Sequence, residues 1–411
     1  MREGWEIKKL LDVVDFQRGL TYSKNDEVDF SENMVLRSNN IDLKTNKLDF
    51  TEIRYINPEI VIPENKKVTK GSLIICTANG SKSHLGKVAL IDDDYNYAFG
   101  GFMGLIKPKG NLNSDFLFHL LTSEPYKKFI GALSDGANIN NLKFGDLGEF
   151  EIPLPPLPEQ QRIVTILDEA FAAIEKAKAN AEKNLKNSKE LFESYLQGVF
   201  ENENWEKKPL REVGSDFLQG INTATDKTIF VDEGIPILQA KEIGLNKLDL
   251  SKTKFITRDK FEVVAERYKP KVGDILYNNI GSSMGRSIII DWDFEFTIAW
   301  NVMRIIPNRL NTLPKFLNFV LQSPSVYNDI ISKAKGVGMP FISKKDLIDV
   351  IVPHPTLSEQ ENIVNKLDAL SAETKKLEAI YLQKLTDLEE LKKSILQKAF
   401  NGELNTKEIC A

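Results

Sequence analysis

Hydrophobic and polar positions along the chain fall into two textures. From residue 163 to 199 the apolar or small side chains sit at Ile163, Leu167, Ala170, Ile174, Ala177, Ala181, Leu185, Ser188, Phe192, Tyr195 and Val199, in steps of three and four. These steps trace a heptad seam with one four-residue stutter along an amphipathic helix. A second seam passes through Ile363, Leu367, Leu370, Thr374, Leu377, Tyr381, Leu385, Leu388, Ile395 and Ala399, with Lys392 as its charged intruder. Pro158 suits a first helical turn, and Ser358 three residues before Glu361 makes a capping-box signature. About 40 residues at ~1.5 Å each make a rod of roughly 60 Å. Neither helix can bury its seam alone, which predicts an intramolecular antiparallel pair.

The remaining stretches have a strand texture. Short apolar runs at Leu73 to Cys76, Lys87 to Ile91, Ile275 to Tyr277 and Ser287 to Ile290 alternate with turns rich in Gly, Asn and Asp. Short helical patterns occupy residues 114–123 and 313–323. Each stretch reads as a mixed module of strands and helices.

An internal repeat orders these parts. Residues 153–168 lie over residues 353–368 with nine of 16 positions identical, among them Pro153, Glu159, Gln160, Ile163 and Leu167 with Pro353, Glu359, Gln360, Ile363 and Leu367. Average composition would give about one identity. The offset of 200 persists downstream, from Glu190 and Glu390 to Glu203 and Glu403, and is patchier upstream, where Trp5 recurs as Trp205. A period this long is a duplicated two-part unit rather than a solenoid. The expected fold is α+β: two mixed α/β modules, residues 1–156 and 205–356, separated by two long antiparallel coiled-coil helices, residues 157–204 and 357–411. An internal pseudo-two-fold repeat relates the halves.

Composition narrows the chemistry. No apolar run approaches the roughly 20 residues of a bilayer span, and the charged start around Arg2, Glu3 and Lys8 lacks a signal peptide's apolar core, so a cytoplasmic protein is expected. Cys76, Cys410, His84, His119 and His354 are too scattered for a zinc or redox motif. No cofactor and no metal site are expected. The net charge of −5 hides a split: residues 205–356 carry 21 Lys and Arg against 18 Asp and Glu, whereas the first helix carries 6 against 9. The second module is therefore mildly basic and the helices acidic.

The loops hold side chains able to read base edges, since Arg and Lys suit guanine, Asn and Gln suit adenine, and Ser and Thr suit either. In the first module these are Arg18, Thr21, Tyr22, Arg37, Asn39, Asn79, Ser81, Lys82 and Lys87, with a further polar stretch from Asn138 to Lys143. In the second they are Asn222, Thr223, Gln239, Lys241, Asn278, Asn279, Ser282, Arg286 and Lys335. Any one of them is explained equally well as a turn residue; recurrence at matching places singles them out. Phosphate-loop, dinucleotide-binding, zinc-protease, base-methylating and nuclease motifs are missing. No catalytic residue is assigned.

The stretch from Ile152 through Pro153, Pro155, Pro158, Glu159 and Gln160 to Ile163, its second copy, and the long helix after each resemble the specificity subunit of type I restriction-modification systems. The resemblance covers essentially the whole chain. It implies two target-recognition domains, each reading half of a bipartite asymmetric target in double-stranded DNA, spaced by the helices. It also implies two docked modification subunits, which supply adenine methylation, with restriction subunits as further partners and no membrane. Partner contacts are then expected at Glu159, Gln160, Ile163, Leu167, Glu359, Gln360, Ile363 and Leu367. The second junction departs from the family pattern at His354, Thr356 and Ser358. A duplicated adaptor that binds no DNA and an enzyme with an unrecognised site remain as alternatives.

Overall fold

The computed structural model describes residues 4–135, 141–201, 204–244, 247–336 and 338–404. The chain forms two compact units, residues 1–181 with 383–411 and residues 182–382. Each unit holds one α+β module and half of each long helix.

In the first unit β1 (Glu6–Lys9) pairs antiparallel with β10 (Glu151–Leu154), closing the module where the chain enters and leaves it. A four-stranded antiparallel sheet has the order β2 (Val14–Arg18), β9 (Met103–Pro108), β6 (Leu73–Cys76), β7 (Val88–Leu90). A second sheet has the order β3 (Glu27–Val28), β5 (Arg54–Ile56), β4 (Met34–Leu36), β8 (Ala98–Phe99), with β4 and β8 parallel. Because β6 is covered on both faces, its four residues are all buried and its pattern is continuous rather than alternating.

The second unit repeats this plan. Here β11 (Lys207–Pro209) pairs with β19 (Ile351–Pro353). The larger sheet runs β12 (Gly214–Gln219), β18 (Val302–Pro307), β15 (Ile275–Asn278), β16 (Ser287–Ile289). The smaller runs β14 (Lys254–Ile256), β13 (Ile235–Leu238), β17 (Thr297–Ile298), again with the last pair parallel. The strand orders correspond one for one except that nothing matches β3 among the described residues. There an isolated bridge between Val231 and Phe255 takes its place.

The long helices span Leu157–Phe200 and Leu357–Phe400, as their seams predict. Within the first unit, Ile163, Leu167, Ala170 and Ile174 share a core with Ile395, Leu396 and Ala399. The charged intruder Lys392 is accommodated there: its ammonium lies 5.0 Å from the Phe171 ring centre and 3.5 Å from Glu175. Lys178 pairs with Glu389 one turn further on, so the segments run antiparallel. In the second unit Leu196 and Phe200 join Val364 and Leu367 in one core. Some seam residues differ from the sequence expectation; on the second helix Leu377 is exposed. Tyr195 is exposed and Val199 only half-buried, because the spacing after Ser188 continues in fours and turns Leu196 and Phe200 inward.

The junctions carry the same clamp twice. Gln160 is fully buried; its Oε1 accepts from the Asn113 amide at 2.8 Å, and its Nε2 donates to Asn111 O and Pro155 O. Gln360 makes the same three bonds with Leu313, Asn311 and Pro355. Each glutamine satisfies an orphan amide at a short helix's start and ties that helix to the long one.

Candidate nucleic-acid interface

In both modules three loops are drawn together by a glycine that nothing else could replace. The Gly19 amide donates to Met103 O and the Leu20 amide to Phe99 O. A Cβ on Gly19 would lie 2.0 Å from Gly100 O, far inside contact distance. Gly220 repeats the arrangement, with its missing Cβ 2.3 Å from Ala299 O. Gly100 then donates to Leu36 O, and Ala299 to Leu238 O. This network brings residues 19–22, 36–39 and 99–103 to one edge of the first module.

The convergence leaves a cleft of about 760 Å³ whose polar lining includes Thr21, Tyr22, Arg37, Asn39 and Arg54, with Phe102 at its rim. Phe102 is 73% exposed. Arg37 is set by its backbone: its amide donates to Asn40 Oδ1 at 2.8 Å, while the buried Asn40 amide group holds Asp49 O and Glu52 O. The Arg37 Nε is buried without a hydrogen-bond partner. Arg54 faces Glu27 at 3.7 Å. Burial first, and the Glu27 carboxylate second, push the half-buried Tyr22 phenol above its ordinary range, so it acts as a neutral donor and acceptor. Two guanidiniums, a carboxylate, a phenol, a hydroxyl and an amide in one open cleft suit the edges and phosphates of a nucleic acid.

Strand register identifies the matching positions of the second module. Val35 pairs with Ala98 as Ile237 pairs with Thr297, and Val35 faces Arg54 as Ile237 faces Lys254. Thr21, Tyr22, Arg37, Asn39 and Arg54 therefore correspond to Asn222, Thr223, Gln239, Lys241 and Lys254. The Gln239 amide is capped by Glu242 Oε2 at 2.9 Å, just as Asn40 caps Arg37.

The structure sorts the expected readers. Thr21, Tyr22, Arg37 and Asn39 share the cleft, and Asn79 reaches its margin by donating to Ser38 Oγ at 2.9 Å. Ser81 and Lys82 are exposed on the neighbouring loop, and Arg18 is exposed with its guanidinium 5.8 Å from the Phe144 ring centre. Ser282 and Arg286 are exposed, Thr223 is half-exposed, and exposed Asn222 closes a turn by accepting from the Ala224 and Thr225 amides. Lys241 is exposed but donates to Lys252 O, and Lys335 pairs with Asp346 at 2.8 Å. Residues 136–140, which include Asn138 and Asn140, lie outside the described residues.

Three expected readers are withdrawn from the surface. Lys87 is 8% exposed and donates to Ile41 O at 2.7 Å; burial pushes its ammonium below the ordinary range. Asn278 is fully buried and donates to Ala240 O, Ile243 O and Ser283 Oγ, holding the loop after β13 from beneath. Asn279, 4% exposed, exchanges hydrogen bonds with Gln219. Each is a support for the loops rather than a contact with a ligand. Arg54, Phe102 and Lys254 were not singled out from sequence. Arg54 and Lys254 share the repeat offset of 200, and Phe102 follows two glycines, so signals existed.

The expected partner contacts need a similar correction. Gln160, Ile163, Leu167, Gln360 and Leu367 are buried in their own units and offer no surface to a partner. Ile363 is half-buried. Glu159 is held by Arg162 at 2.8 Å, and exposed Glu359 accepts from the Thr356 amide and hydroxyl, which hold its carboxyl below the ordinary range. Among the described residues no cluster of His, Cys, Asp or Glu could hold a metal, and no helix is long and apolar enough to cross a membrane.

The model of the type I restriction modification DNA specificity domain matches residues 2–183 and again residues 202–387. The chain belongs to this family. A relative of the specificity family, the type I restriction enzyme EcoKI specificity subunit of Escherichia coli (strain K12), is 27% identical, covering 98% of this chain and 89% of that one. Among solved structures, a chain from work on complex assembly and conformational transition of the type I R-M system superposes with a TM-score of 0.77 at 22% identity, covering 98% of this chain and 99% of that one. The HsdS subunit from Thermoanaerobacter tengcongensis gives 0.64 at 22% identity, covering 98% of each. These two likenesses establish a shared fold over the full length.

Proposed function

We propose that this chain is the DNA-recognition subunit of a type I restriction-modification complex and that its two modules each read one half of a bipartite, asymmetric target. The observation that carries this reading is the pair of modules with one backbone plan and different polar side chains at matched loop positions. A duplicated scaffold with identical readers would suit a symmetric site; unlike readers suit an asymmetric one. The chain supplies no catalytic step and works with methyltransferase subunits. In this reading two of them dock on the exposed faces of the long helices, restriction subunits join the same complex, and the helices set the unread gap between half-sites.

The adaptor alternative predicts no salt-sensitive DNA binding, whereas phosphate contacts give a steep salt slope. The test is to express the chain with its modification subunit and map methylated adenines, with a control lacking the chain. A two-part motif with a fixed gap, present only with this chain, is the expected result. A demonstrably assembled, cofactor-supplied complex that methylates no such motif overturns the proposal.

A further inference from the structure

Arg37 and Gln239 occupy one backbone position in two modules. Each follows a fully buried leucine, Leu36 or Leu238, at the end of a strand in the parallel pair. Each has its amide capped by the side chain three residues on, and each accepts from that residue's amide, at 2.9 Å for Asn40 and 3.1 Å for Glu242. The loops then close through equivalent bridges, Ile41 to Leu48 and Ile243 to Leu248. The backbone therefore delivers both side chains from the same place, and only the chemistry at the tip differs.

That difference is the one that separates two purines. An arginine fork donates to guanine O6 and N7, whereas a glutamine amide donates to adenine N7 and accepts from its N6. Two neighbouring candidates are committed elsewhere. Arg54 faces Glu27, and Gln219, which matches Arg18, exchanges hydrogen bonds with Asn279 and donates to Trp300 O. Arg37 lines the cleft, and its Nε is buried without a hydrogen-bond partner.

We infer that this single loop position sets the purine read by each module: guanine through Arg37 in the first half-site and adenine through Gln239 in the second. The inference rests on the DNA-reading function proposed above. It makes the two half-sites differ by design at matched positions.

The experiment uses the full chain assembled with its modification subunit, as wild type, R37Q, R37K and Q239R. Methylated motifs are mapped, and binding is measured on duplexes carrying 7-deazaguanine, which lacks the N7 acceptor. The wild-type complex should lose roughly 10-fold in binding when one guanine of one half-site is replaced. R37Q should ignore that replacement and shift the motif there from guanine to adenine, leaving the other half-site intact. R37K, which keeps the charge and loses the planar fork, should retain affinity with a weakened guanine preference. Q239R should shift one position of the other half-site from adenine to guanine. A wild-type bipartite motif that all three variants leave unchanged overturns the inference and leaves the recognition function standing. Equal weakening on every sequence overturns it too, by making Arg37 a phosphate contact. Absence of any bipartite motif for the wild type removes both readings.

Discussion

The two modules share strand order, loop hydrogen bonds and junction clamps, yet they solve one core position in opposite ways. In the second module Arg304 on β18 pairs with Asp274 at 2.6 Å, with both side chains almost fully buried. The guanidinium also donates to Glu266 O and Arg267 O, and Asp274 accepts from the Lys271 amide. Register places Leu105 and Ser72 at these positions in the first module. There the leucine is fully buried and the serine hydroxyl bonds Thr69 O, so the loop is held without charge. A second contrast lies at the module-to-helix contact. His119 of the first module meets Asp168 at 3.0 Å, where the second has Phe319 and joins Asp368 to Lys315 instead. The backbone plan is thus indifferent to which chemistry fills these sites, provided every buried polar group finds a partner.

This contrast can be broken most sharply at the buried ion pair. R304A should destabilise the second module by about 3–5 kcal/mol, because Asp274 is left buried and unpaired, whereas D274S with R304L, which installs the first module's solution, should lie near neutral. Urea midpoints for the two variants decide it; equal losses would mean that the modules are not interchangeable here. Next in size are the shared clamps. Q160A and Q360A each strand an amide and two carbonyls, and each should cost about 1–3 kcal/mol, with similar values in the two units. A large difference would show that the junctions only look alike.

Smaller effects sharpen the comparison at the helices. K315A should change stability by no more than about 1 kcal/mol, since the Lys315–Asp368 pair is solvent-exposed. In the first unit Lys178 holds the Glu389 carboxyl below its ordinary range. The sign follows: this pair contributes stability above the unfolded carboxylate pKa, and the contribution is lost as pH falls through the folded value. Unfolding free energies of wild type and K178M should therefore converge on acidification, from a gap at neutral pH of about 1 kcal/mol or less.

The long helices, the duplication and the α+β class were legible in the sequence because they depend on local period and on self-similarity, which survive without coordinates. The cleft was legible in part. Thr21, Tyr22, Arg37 and Asn39 lie on loops punctuated by glycine and asparagine, and loop chemistry is written locally. The expectation of partner contacts at Gln160 and Gln360 came with the family resemblance, and the structure instead makes both a buried clamp present in each unit. Lys87 and Asn278 misled because each is a polar side chain at the end of an apolar run, where the sequence alone does not say which way it points.

The chain by itself determined the two long helices, a few of the strands, that two modules follow one plan, and which loops carry polar side chains. Only the tertiary structure decided which of those side chains meet solvent. Lys87 is fixed by a carbonyl 46 residues away, and Asn279 by a glutamine 60 residues away. Partners so distant are chosen by sheet order and close backbone approach rather than by local propensity. The same physics makes Gly19 and Gly220 decisive: a missing methyl group at each lets the chain draw together the loops in which Arg37 and Gln239 lie.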